Sequence, residues 1–279
     1  MFPLLLVIGL SFSTQTQFAH VIPNVKATGI LVDARVGRID VRATSEPALK
    51  VKANVPVTVE PDGTGLRIRA TEPRKIQEVN IEVLVPRAML VRATGSATDV
   101  SIAGIDGNIR VDVHQGVVEV RGGTGASDID VVNGQVSISD RTGTVAIMAA
   151  ASGVRLTNLS GSIKVDGTSG DITLTDTRSA SIDAQTVSGE IRFAGTVAAG
   201  GRYNFASHSG GVRVAIPQGA GATFTLLTAN SVVETTPTLS PISVEPGKLT
   251  KRVYRIGNAT GQIEIRSISG KVVLNWSGK

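Results

Sequence analysis

The stretch Gly161-Ser162-Ile163-Lys164-Val165-Asp166-Gly167-Thr168-Ser169-Gly170-Asp171-Ile172-Thr173-Leu174 decides the fold. It holds one five-residue unit twice, nine residues apart: a small residue, a free position, an aliphatic, a polar residue, an aliphatic. The unit is led by Thr98, Gly107, Gly116, Ser127, Gly134, Gly143 and Ser152 upstream, and by Ala180 and Gly189 downstream. Steps between leaders are 9, 9, 11, 7, 9, 9, 9, 9, 10 and 9, a mean of 9.1. A fixed period of this kind is the signature of a repeat architecture.

Within each unit aliphatic and polar residues alternate with period two, which predicts a short strand with one buried face. Ile109, Val111, Val136, Ile138, Ile163, Val165, Ile172, Leu174, Ile191 and Phe193 should point inward. Arg110, Ser137, Lys164, Thr173 and Arg192 should point outward. The leading Gly or Ser suits a tight bend, and the residues left over allow only a turn. A meander would need hairpin dipeptides at every corner; Asp106-Gly107, Asn133-Gly134 and Asp166-Gly167 supply three, and most corners have none. The reading is therefore all-β: a right-handed or flattened parallel β-solenoid, a single-stranded β-helix, with about nine residues per strand and turn and irregular N- and C-terminal caps. Two or three strands per coil both fit. The scarcity of aromatics, six Phe, two Tyr and one Trp, agrees with a thin interior filled by Val, Ile, Leu and Ala.

The flanks divide the chain. Residues 1–19 read as a signal peptide: Phe2 to Phe12 is apolar and too short to cross a bilayer, Ser13 to Gln17 is polar, and cleavage is placed after Ala19. The basic segment that usually precedes such a run is missing, since Lys26 is the first cation. Residues 24–97 form an N-terminal strand region or the start of the solenoid, 98–216 the regular repeats, and 217–279 an irregular segment with closing strands at Gly261 and Gly270. Residues 47–59 and 79–85 alternate over longer runs than the repeat strands, with Pro56 marking an edge or break. Trp276 is expected to cover an apolar end.

Composition excludes several chemistries. With no cysteine among 279 residues, disulfides, thiolate metal sites, a cysteine nucleophile and a lipoprotein anchor are all absent. Seven outward acids, Asp112, Glu119, Asp128, Asp130, Asp140, Asp171 and Asp183, are read as solvated strand positions. A polysaccharide-active β-helix would need two of them about 5–10 Å apart beside a stacked ring, and Tyr203, Tyr254 and Trp276 lie too far along the chain. Gly122-Gly123-Thr124-Gly125-Ala126-Ser127-Asp128 imitates a calcium nonapeptide with its Asp one place late. His114 and His208 read as turn histidines. No catalytic, cofactor-binding or metal residue is therefore assigned, no cofactor is expected, and the chain is read as a non-enzyme.

Charge is uneven along the chain: 12 basic and 8 acidic residues over 1–98, 7 and 12 over 99–195, 9 and 3 over 196–279. The basic C-terminal part, densest from Lys248 to Arg255, suits an anionic surface, an acidic glycan or a solubilising edge. Nucleic acid is not expected, for want of a basic face with interleaved aromatics.

Several stretches resemble a bacterial family of exported β-strand-repeat proteins, the "putative adhesins", a domain of unknown function. These are Val85-Pro86, the units Thr168 to Ile172 and Val187 to Ile191, the run from Gly200 to Val212 followed by Ile216-Pro217, and Ser267 to Val272. The resemblance covers roughly residues 30–275. It implies an exported β-solenoid without established catalytic activity, located in the periplasm, at the cell surface or outside the cell. The expected partner is an envelope component (protein, glycan or anionic surface), and edge strands offer a route to self-association. No site residue comes with the resemblance.

Overall fold

The computed structural model describes residues 18–71, 78–217, 220–258 and 260–276. The apolar run at 2–12 and the polar stretch after it lie outside these residues. Alternation along the chain yields strands throughout, and no helix among the described residues. The first six are β1 (Phe18–Pro23), β2 (Gly29–Thr44), β3 (Ala48–Ala53), β4 (Val57–Asp62), β5 (Gly65–Ala70) and β6 (Val79–Pro86). Four long strands follow: β7 (Leu90–Ala103), β8 (Ile109–Arg121), β9 (Ser127–Ser139) and β10 (Val145–Thr157). Next come β11 (Ser162–Ser169), β12 (Ile172–Thr177), β13 (Ser181–Thr186), β14 (Ile191–Gly195), β15 (Arg202–Ser207) and β16 (Val212–Ala215). The chain closes with β17 (Ala222–Thr228), β18 (Val233–Thr236), β19 (Ser243–Glu245), β20 (Thr250–Ile256), β21 (Gly261–Ser267) and β22 (Val272–Asn275).

Register fixes the coil. Ser127 pairs in parallel with Ile109 and with Val145, and Val145 pairs with Ile163, each a step of 18 residues. Two nine-residue units therefore make one turn of the solenoid, which settles the strands per coil at two. Each long strand runs through a bend, as at His114 to Val117, so its halves lie in two different sheets. Side chains from both sheets meet in one continuous core. One ladder of that core reads Ile81, Ile39, Val100, Val118, Val136, Val154, Ile172, Ile191, Val212, Val272. Every inward position expected from the sequence is buried, each contributing about 1.5–3 kcal/mol.

The irregular steps of 11 and 7 correct themselves in the structure. Gly107, Gly125, Gly143 and Gly161 occupy one corner at intervals of 18, so Gly125, not Ser127, leads its unit. Ser127 instead fills an inward slot between Ile109 and Val145, with its hydroxyl buried and unpartnered. A polar residue in an apolar column hid the true spacing.

Coils lengthen downstream, to 19 residues between Ile163 and Ile182 and to 21 between Ile182 and Tyr203. There the interior takes rings after all: Phe193 packs against Tyr203 and Phe205, with centroids 5.7 and 5.3 Å apart. Tyr203 satisfies its hydroxyl by donating to the Ser179 carbonyl and accepting from the Ala198 N–H, both at 2.8 Å.

At both ends the chain lays its coils out of order. β2 has β7 on one side and the later-removed pair β5 and β6 on the other. β21 and β22 sit between β15 and β16 on one side and β17 and β18 on the other. Antiparallel strands cover the ends: β4 on β5, β3 and then β1 on β6, and β20 with β19 on β17. The alternating run 47–59 is thus two strands, broken around Pro56, in this end cover. Ala19, the residue before the expected cleavage point, lies within β1 opposite Lys52. Trp276 packs against the core beyond β22.

One corner holds a fully buried arginine. Arg141, 1% exposed, forks to four carbonyls on two preceding coils: Ile105 (2.7 Å), Gly122 (2.9 Å), Gly107 (3.0 Å) and Thr124 (2.5 Å). Gly123 stands directly beneath, where a Cβ would strike the Ile105 carbonyl and crowd the guanidinium. The glycine cluster that imitates a calcium motif therefore makes room for a side chain.

Candidate functional site

The two sheets present unlike outer faces. On the first, built from β8, β9, β10 and β11 before their bends, charges are tied to one another. Arg110 reaches Asp128 at 2.8 Å, Asp112 at 3.2 Å and Asp130 at 3.4 Å, and Arg92 meets Asp112 at 3.2 Å. Burial and the neighbouring Asp128 and Asp112 raise the pKa of Asp130, with Arg110 acting against them. Lys164 pairs with Asp166 at 3.2 Å, and Asp183 accepts from Asn204 at 2.8 Å and Gln185 at 3.1 Å. Along the bend beside this face runs a shallow groove of about 710 Å³ holding Asp112, His114, Asp130, Val132, Met148 and Asp166.

Three of the seven acids converge and the others are spread apart. Asp112, Asp128 and Asp130 share Arg110 on the first sheet. Asp140 sits in a corner at φ +56° and accepts from Asn158 at 2.8 Å. Glu119 belongs to the second sheet. Asp171 lies beside that sheet, bonded to the Glu190 N–H and to Arg192, which together lower its pKa. Tyr203 and Tyr254 are buried in the core, so neither offers a platform for a sugar ring. Among the described residues, no group of three His, Asp or Glu could hold a metal ion.

The basic segment forms part of the end cover, with Lys248 and Arg255 exposed. β20 lies antiparallel on β17, Lys251 pairs with Glu245 at 3.1 Å, and Arg252 donates to the Thr228 hydroxyl at 2.8 Å. Ile242 and Val244 beside it are exposed.

The second sheet differs. Towards its C-terminal end Arg192 pairs with Asp171 and Glu190, and Arg213 with Glu190. Its middle carries Ser137 and Ser139 on β9, Arg155 and Thr157 on β10, and Thr173 and Thr175 on β12. These are aligned so that Ser137, Arg155 and Thr173 form one row and Ser139, Thr157 and Thr175 the next. All six point away from the core, and none has a side-chain hydrogen bond or ion pair among the described residues. The sequence marks Ser137 and Thr173 as outward, but only the 18-residue register brings them to either side of Arg155. Where this sheet meets the corner, Thr177 takes the place that Arg141 and Leu159 fill in earlier coils, leaving a groove of about 550 Å³ with Asp176, Arg178, Ala194 and Ile216.

A family model described as Toastrack DUF4097 matches residues 23–275. No curated protein matches the chain. Solved structures that it resembles include a "putative adhesin" of Bacteroides fragilis NCTC 9343, 13% identical with a TM-score of 0.45, covering 94% of this chain and 98% of that one. A "putative lipid binding protein" of Parabacteroides distasonis ATCC 8503 is 14% identical, TM-score 0.38, with 94% and 97% covered. A "putative cell adhesion protein" of Clostridium sporogenes ATCC 15579 is 10% identical, TM-score 0.23, with 95% and 99% covered.

Proposed function

The chain belongs to the Toastrack DUF4097 family, and on that premise we propose that it is a non-enzymatic, adhesin-like binding module of the bacterial cell envelope. It is exported, to the periplasm, the cell surface or the medium, and meets its partner across a strand face through polar contacts. The observation that supports this most is the middle of the second sheet, where donors and acceptors without partners are held in fixed rows by the aliphatic ladder beneath. Rigid presentation lowers the ordering cost of association.

The test is co-sedimentation of the intact purified chain with cell-envelope fractions. Retention by the envelope, reduced by substitutions on the second sheet and not by those on the first, is the expected outcome. Failure to be retained by any fraction sinks the reading, and release of new sugar ends from a polysaccharide would put a glycan-cleaving enzyme in its place.

A second reading, self-association through edge strands, draws support from β18 and β19, which among the described residues pair with β22 alone and β20 alone, and from exposed Val232 next to β18 and exposed Ile242 and Val244 at β19. It predicts a scattering mass that rises with concentration and is held down by Val244→Lys.

A further inference from the structure

We infer that the middle of the second sheet is a binding surface for a carboxylated polysaccharide, with Arg155 as its anion anchor and the Ser and Thr rows as its hydroxyl contacts. The inference rests on the face-binding reading above and names the ligand class. Its physical ground is the contrast between the two faces. On the first sheet each arginine of the middle coils is engaged by aspartates, and on the second the Arg192 and Arg213 guanidinium groups are engaged by Asp171 and Glu190. In the middle of the second sheet Arg155, and Arg121 at its edge beside Ser139, are left without a carboxylate among the described residues, and of the two only Arg155 has five hydroxyls around it in register. A guanidinium presents a planar fork that fits a carboxylate in two parallel hydrogen bonds. Serine and threonine hydroxyls both donate and accept, so they suit a partner dense in hydroxyl groups.

Shape narrows the class further. The six residues lie in two aligned rows over three adjacent strands about 4.8 Å apart. A small acid would touch Arg155 and little else, whereas a linear polymer lying across the strands meets successive rows and gains by repetition. The charges facing Arg155 from its surroundings are Glu119 and Arg121 two strands one way, Arg192 two strands the other, and Asp171, which Arg192 already holds.

The experiment is affinity electrophoresis of the full chain through gels carrying polygalacturonate or dextran. Wild type should be retarded by polygalacturonate, several-fold less by dextran, and less in added salt. Arg155→Ala should weaken polygalacturonate binding at least tenfold, Arg155→Lys should recover part of it, and Thr157→Val/Thr173→Val should weaken it without unfolding the protein. Lys164→Ala, on the opposite face, should bind as wild type does. Equal retardation by the two polymers, full binding by Arg155→Ala, or no binding of polygalacturonate each overturns the inference. A chain that is held by envelope fractions yet ignores polygalacturonate loses this ligand and keeps the adhesin-like reading. A chain that binds polygalacturonate but no envelope fraction does the reverse.

Discussion

Single residues carry more of this solenoid than the evenness of its repeat suggests. Arg141 is the sharpest case, because its guanidinium supplies four carbonyls that no backbone N–H from its own coil reaches. Truncation to Ala leaves them buried and unpaired beside a void, and should cost about 3 kcal/mol or more, read as a lower urea midpoint. Arg141→Lys should recover only part, since a point charge cannot fork to two coils. Gly134 makes the complementary case: at φ +147° any Cβ would collide with the Gly116 carbonyl. Gly134→Ala should destabilise by about 1–3 kcal/mol, whereas Gly153→Ala, with open space and ordinary φ, should be neutral or slightly stabilising. Asp130 works against the fold at neutral pH. Its raised pKa means that the folded state binds a proton more tightly than the unfolded chain, so its charge costs stability above the folded pKa. The cost disappears as pH falls through that value. Asp130→Asn should therefore raise the melting temperature at neutral pH, with an advantage that fades in acid as wild type becomes protonated.

At the scale of the strand, stability lies in the columns. Ile109, Ser127 and Val145 stack in one ladder, and the serine interrupts it with a hydroxyl that finds no partner. Ser127→Val would restore a β-branched side chain to an apolar slot, and should gain about 1 kcal/mol, measured by chemical denaturation at unchanged m. The same serine shows how far strands were legible beforehand. Alternation of Ile109 with Arg110 and Val111, or of Ile172 with Thr173 and Leu174, states the inward face outright, because period two has a single geometric meaning. Ser127 broke the spacing because small polar residues serve both as bend leaders and as core fillers. The run 47–59 keeps its alternation across Asn54 and Pro56, yet Pro56 alone marks the break that separates β3 from β4. Arg141 was invisible for a related reason. An arginine between Asp140 and Thr142 reads as a solvated turn, and only the stacking of three coils turns its corner inside out.

For the molecule as a whole, contacts are made with the coil above and the coil below, so protection should be graded along the axis. Amide hydrogen exchange is expected to be slowest across β8, β9 and β10, and fastest in β1, β4, β18 and β19. A flat profile would mean that the stack melts only as a unit. The free face around Arg155 also belongs to this scale. Ser137, Arg155 and Thr173 are 18 residues apart, and nothing local in the sequence distinguishes them from other outward polar positions. Coil order was equally illegible, since Val, Ile and Leu columns accept any neighbouring aliphatic strand and leave the choice to pairing far away in sequence.

That order has a consequence for how the protein can be shortened. An ordinary array of stacked units can be pruned from its tail, one unit at a time, each loss exposing an intact predecessor. Here β21 and β22, although they follow β17 and β18 in the chain, are the keystone of this end and not its tip. Removing β21 and β22 would empty a slot between two standing layers, leaving β18 without its partner and β17 held by β20 alone among the described strands. A protease that attacks β21 or β22 should thus meet either complete resistance or abrupt failure of the whole end, with no ladder of progressively trimmed survivors.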